Sequence, residues 1–148
     1  MTKFILIAIS LVSFYMQALA AQELAADVVV TENVYARPTI PNIPMGAMYL
    51  TLTNTGKLSH SLVAASSSVA DSLELHGHEM SGGMMRMRQA DKIELAAEQT
   101  VILQPGGLHV MLIGVTQPLI ENSSFEVKLV FEDTSEKVVE VAIKPYSH

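Results

Sequence analysis

The sequence predicts an all-β fold, an antiparallel β-sandwich. Short β-branched or alternating segments recur along the chain, Gly, Pro, Asn and Asp separate them, and no amphipathic helix of ten or more residues stands out.

The predicted strands follow in order. Asp27 to Val34 is valine-rich, and Ala47 to Asn54 alternates Leu with Thr. Ser61 to Ala65, Ser72 to His76, Met84 to Arg88, Lys92 to Leu95 and Thr100 to Leu103 are short runs bounded by turn residues. His109 to Val115, Ser124 to Phe131 and Lys137 to Ile143 complete the set, each with apolar residues at every second position. The breaks fall at Asn54-Thr55-Gly56, Ser81-Gly82-Gly83, Gln104-Pro105-Gly106-Gly107, Gln117-Pro118 and Glu132-Asp133-Thr134. Pro38, Pro41 and Pro44 cannot donate ladder hydrogen bonds, so Arg37 to Pro44 is expected as an extended edge or loop. Many short strands in a domain of this size make the sandwich immunoglobulin-like or cupredoxin-like.

Residues 1–20 read as a secretory leader: Lys3 supplies a positive start, Phe4 to Val12 an apolar stretch, and Ala18-Leu19-Ala20 a small-x-small cleavage site. The apolar stretch is short for a membrane span, so the expectation is cleavage and no span thereafter. Residues 21–148 then form a single domain with one core. Loss of Lys3 leaves 8 basic residues against 15 acidic ones, a net charge of −7. Such a chain is a poor match for nucleic acid or an anionic membrane surface.

Histidine and methionine are distributed unevenly. After residue 20 the chain holds five His and seven Met, and eight of those twelve lie between positions 76 and 111: His76, His78, Met80, Met84, Met85, Met87, His109 and Met111. Thioethers are soft ligands and imidazoles borderline, a set suited to Cu(I) and not to Mg²⁺ or Ca²⁺. Each Met taken singly also reads as an adaptable core filler, the reading preferred for Met45 and Met48. Cysteine is absent, which removes disulfides and the thiolate of a blue-copper electron-transfer site. Binding and handover are thereby favoured over electron transfer.

Strand parity orders these residues. Side chains at i and i+2 share a face, so His109 and Met111 point one way while Val110 and Leu112 point to the core. In Leu73-Glu74-Leu75-His76 the leucines face inward and His76 outward. Met85 and Met87 share a face opposite to Arg86 and Arg88, and the Gly82-Gly83 turn is expected to bring Met87 back across from His76.

His76, ten residues, Met87, twenty-one residues, then His109-x-Met111 resembles the H-x10-M-x21-H-x-M motif of the periplasmic copper chaperones called PCu(A)C, intact at all four positions. Gly46-Ala47-Met48-Tyr49-Leu50-Thr51-Leu52-Thr53-Asn54-Thr55-Gly56, Met85-Arg86-Met87-Arg88 and Pro105-Gly106-Gly107-Leu108-His109-Val110-Met111-Leu112 are also similar to that family, and the likeness runs from about Ala26 to Ile143. The resemblance implies a cupredoxin-like sandwich binding one Cu(I) at its surface through His76, Met87, His109 and Met111. It further implies delivery in the periplasm, to the Cu(A) subunit of cytochrome c oxidase or by way of a thiol-bearing copper protein. Some members carry a His- and Met-rich tail for Cu(II). Here the residues end at Lys144-Pro145-Tyr146-Ser147-His148, so Cu(II) has weak support, while His78 and Met80 remain candidates for loading or exchange.

The expected mechanism is associative ligand exchange by a monomer, with a copper-bridged dimer as the variant. Imidazole must be neutral to bind, so affinity falls as pH drops through the histidine range. The rival readings are a hydrolase using His60, His76 or His109 as base, a copper store or resistance protein, and a structural sandwich that docks partners. The first finds no nucleophile-elbow or His-Glu-x-x-His pattern, so a non-enzyme is expected.

Overall fold

All ten predicted strands form in the computed structural model, which describes residues 22–146. The expected leader, 1–20, and His148 lie outside the described residues. A short helix, α1 (Ala25–Val28), leads into β1 (Val29–Ala36), β2 (Met45–Asn54), β3 (His60–Ser66), β4 (Ala70–Ser81) and β5 (Met84–Gln89). Then come β6 (Ile93–Leu95), β7 (Thr100–Leu103), β8 (His109–Val115), β9 (Ser124–Phe131) and β10 (Glu136–Ile143).

The strands run in the order β5-β4-β8-β2-β1-β10-β9-β3-β6, with β7 also on β2. An Ala65–Leu73 pairing between β3 and β4 closes the sheet on itself, so the sandwich is barrel-like. Every pairing is antiparallel except β1–β10, where Tyr35 and Ala36 run alongside Ala142 and Ile143.

Alternation builds the core. In β9, Phe125, Val127, Leu129 and Phe131 are buried while Ser124, Glu126 and Lys128 are exposed. They meet Met48, Leu50, Leu52, Val110 and Leu112 from β2 and β8 inside one apolar cluster. Each such side chain contributes about 1.5–3 kcal/mol of transfer free energy. Met48 is fully buried, in line with its reading as packing, whereas Met45 is 44% exposed and does not fill the core.

Several boundaries shift by one or two residues from the predicted ones, and two of the differences have a clear physical cause. Asp27 and Val28 belong to α1, not to the first strand, because the preceding amides are captured: Ala25 N–H donates to the Asp133 carboxylate at 2.6 Å and Ala26 N–H to Ser135 Oγ at 3.0 Å. Strand β4 runs five residues beyond His76, because His78, Glu79, Met80 and Ser81 find backbone partners in β5. That extension carries the hairpin out past the core, and all six residues of β5 are exposed.

Candidate metal centre

Strands β5, β4, β8 and β2 lie side by side and present one outward face. Leu75 is buried beneath β4, and Val110 and Leu112 beneath β8, so Glu74, His76, His109 and Met111 take the outer side as parity requires. The register sets His76 directly opposite His109 and Glu74 opposite Met111. The two imidazole rings stand 5.6 Å apart, centroid to centroid, tilted by 48°.

The hairpin register corrects one expectation. The two-residue Gly82-Gly83 loop has φ of +59° and +76°, the left-handed backbone that a tight hairpin turn requires and glycine tolerates. It pairs Ser81 with Met84, and counting back sets Met87 opposite His78 and Gln89 opposite His76. Met87 is therefore diagonal to His76, two residues nearer the tip, and still on the face that carries both histidines.

Hydrogen bonds orient both rings. Nδ1–H of His109 donates to the Gly107 carbonyl at 3.0 Å, which leaves Nε2 with the free lone pair. His76 Nε2 lies 2.9 Å from Glu74 Oε2, so with this carboxylate as acceptor Nδ1 is the free nitrogen. An imidazole held by a carboxylate or carbonyl on its far side is the usual arrangement of a metal-ligating histidine. Glu74 alternates with His76 in the sequence, yet nothing there marked it as that partner.

An aromatic row extends from the histidines. Tyr49 lies 6.4 Å from His109 and 5.2 Å from Tyr35, and with His76 over its other side His109 is only 5% exposed. Burial raises the pKa of the Tyr49 phenol, and the neighbouring phenols Tyr35 and Tyr146 add to this while Arg37 opposes it. Arg37 and Lys144 lie over the Tyr35 ring at 5.1 and 5.3 Å. This row carries cations at one end and Glu74 at the other. The sequence reading missed Tyr49 because its proximity to His109 follows from the β8–β2 pairing, which no local pattern reveals.

Met111 is half-buried, whereas Met87 is 53% exposed. Among the described residues no three His, Cys, Asp or Glu side chains gather into a metal-holding group, so a metal on this face would have to draw on thioethers. Two neutral imidazoles and two thioethers are a soft, uncharged donor set that fits Cu(I). His60 is elsewhere: it is buried, with its ring nitrogens 3.6 Å from the Glu23 carboxylate and 3.9 Å from that of Asp133.

Residues 29–143 match the family described as "Putative lipoprotein LpqE-like". The chain belongs to the LpqE-like family. One relative of this LpqE-like chain, "Putative lipoprotein Lxx21020" of Leifsonia xyli subsp. xyli (strain CTCB07), is 36% identical over 104 residues. That match takes in 70% of the chain but spans only 63% of the relative's length. The solution structure of CuI-DR1885 from Deinococcus radiodurans is 34% identical with a TM-score of 0.63, over 86% of this chain and 84% of that one. The copper-bound PCuAC domain from PmoF2 superimposes with a TM-score of 0.71 at 22% identity, over 84% of this chain and 99% of that one. That likeness shows the fold, so the LpqE-like chain has the cupredoxin-like sandwich of PCuAC domains. No helix among the described residues is long and apolar enough to cross a membrane.

Proposed function

We propose that this protein is an exported copper chaperone that carries one Cu(I) on the outer face of β4, β5 and β8 and hands it to an acceptor by ligand exchange. The observation that carries the reading is the cross-strand His76–His109 pair, each ring already anchored on its far nitrogen, with thioethers diagonal to it on both sides. His76, Met87, His109 and Met111 are the four ligands. Neighbouring strands are about 4.8 Å apart, so Met87 and His109 flank β4 at roughly twice that spacing. The flexible methionine side chain spans the gap.

Four neutral ligands leave Cu(I) with its single positive charge, which Glu74 beside His76 offsets. The CuI-DR1885 likeness supports the oxidation state, and the exposure of Met87 supports exchange, since an incoming donor can bind before a resident one leaves. The acceptor is the Cu(A) subunit of cytochrome c oxidase or a thiol-bearing copper protein, and the compartment is the periplasm, reached through the 1–20 leader. A family described as lipoprotein fits export, although this chain has no cysteine thiol to carry a lipid. Carriage and not catalysis is the chemistry of this donor set.

The test is transfer. Cu(I)-loaded protein is mixed without oxygen with a copper-free Cu(A) domain, and the metal content of each is followed after separation. Copper moving to the acceptor faster than from a small-molecule Cu(I) complex of equal affinity supports the reading. Retention of copper, or transfer no faster than from the small molecule, rejects it.

A further inference from the structure

The β4–β5 hairpin carries more soft donors than one copper site uses. Directly opposed residues of an antiparallel pair share a face, and the register opposes His78 to Met87 and Met80 to Met85. Stepping by twos along β4 from His76 through His78 to Met80 keeps that face, so the donors at the tip are continuous with the His76–His109 pair. Core filling does not explain them: Met80 and Met85 are each 68% exposed, and no residue of β5 is buried. Every large apolar side chain of β5 is a methionine, whereas a purely apolar contact surface would take Leu, Ile or Phe equally well. The reverse face carries an exposed ion pair, Arg88 Nε to Glu79 Oε2 at 2.8 Å, and one methionine, Met84, so the other three hairpin methionines gather on the face that bears the histidines.

We propose that His78, Met80 and Met85 form a second, weaker Cu(I) site that shares Met87 with the inner one and serves as the route by which the ion enters and leaves. This rests on the inner-site reading given above. Opposed Cβ atoms are about 5 Å apart, and the three rotatable bonds of each methionine let the Met80 and Met85 sulfurs converge on one ion. Movement from the inner to the outer set keeps the Met87 sulfur–copper bond throughout. Bonds to His78, Met80 and Met85 form as those to His76, His109 and Met111 break. The imidazoles are neutral before and after, so no proton or electron changes hands. The outer set weakens as the hairpin frays, while the inner set is fixed by β8 and by the Glu74 and Gly107 hydrogen bonds.

The test is an oxygen-free Cu(I) titration of protein labelled with ¹³C at its methionine methyl groups. The first equivalent is expected to shift Met87 and Met111, and the second to shift Met80 and Met85 and to move Met87 again. Met80 and Met85 signals unmoved through two equivalents, while Met87 and Met111 respond to the first, overturn the second site. Met80 and Met85 responding while Met111 never does supports the outer set and rejects the inner-site reading instead. A Met80→Leu, Met85→Leu variant keeps the exposed apolar volume. It should slow release of Cu(I) to a chelator by about tenfold, with the affinity for the first equivalent within about twofold of wild type. An unchanged release rate overturns the entry and exit role.

Discussion

His76 on β4 and His109 on β8 are direct cross-strand partners, with ring centroids 5.6 Å apart on the outer face of the sheet. Neither depends on a flexible loop for its position. Each is set by a strand and by a hydrogen bond to its own non-ligating nitrogen, to Glu74 and to the Gly107 carbonyl respectively. Such preorganisation lets a metal be bound without first ordering its ligands.

Glu74 should therefore matter although it is not one of the four ligands. Glu74→Ala removes the partner of His76 Nε2, and its expected cost is about 10–100-fold in Cu(I) affinity, the range for residues that orient metal ligands. Glu74→Gln keeps a carbonyl acceptor in nearly the same shape and should lose less. Competition against a chromophoric Cu(I) chelator reads both.

Core stability should be separable from copper binding. Phe131 is 1% exposed in the interior at the end of β9, and Phe131→Ala should cost about 3–5 kcal/mol in denaturant unfolding. The fraction that remains folded should bind Cu(I) with unchanged affinity, because β9 is not hydrogen-bonded to β8, β4 or β5, the strands that carry the candidate ligands. A parallel loss of affinity in folded protein would show that the face depends on core packing more than its strand pairing suggests.

Acid sensitivity should trace in part to Asp133. Burial alone would raise this carboxyl, but hydrogen bonds from the Ser135 hydroxyl and from the Ala25 and Ser135 amides, with His60 nearby, outweigh it and hold its pKa below the ordinary 3.8. A carboxyl depressed in the folded state stabilises fully above its unfolded value, and that share is lost as pH falls through 3.8 towards the lower folded value. Asp133→Asn should be less stable than wild type at neutral pH, and the gap should narrow in unfolding curves taken below about pH 4.

The hairpin turn should be sensitive to a single methyl group. Gly83→Ala adds a Cβ at a φ of +76°, with an expected cost of about 1–2 kcal/mol that local fraying of the hairpin can absorb. Amide hydrogen exchange should quicken in β5 and in the distal part of β4 and stay unchanged in β9 and β10.

Period-two patterning and turn residues make most of this fold legible in the sequence: β8 and β9 have the bounds expected from their alternation and β7 those expected from its flanking turns, and Val110 and Leu112 lie inside as parity required. The pairing of His109 with Met111 on one face was legible for the same reason. The Met87 register was not read correctly, because β5 is exposed on both faces and its hydrophobic pattern therefore carries no register. The Gly82-Gly83 loop length alone fixes it. The parallel β1–β10 pairing, the Ala65–Leu73 closure and the place of Tyr49 beside His109 were hidden because contacts between strands distant in sequence leave no local periodicity. Helix α1 was missed because the groups that capture its amides, Asp133 and Ser135, lie more than a hundred residues away.

The measurement that bears most directly on the copper reading is an oxygen-free Cu(I) competition titration of the wild-type protein and of the His109→Ala, Met111→Ala double variant. Wild type should bind its first Cu(I) tightly, and the variant, with its β9 and β10 strands still folded, should lose at least about a hundredfold of that affinity, more than any orienting residue costs. A wild type that fails to compete for Cu(I), or a folded variant that competes as well as wild type, would contradict a copper site built on the His76–His109 pair.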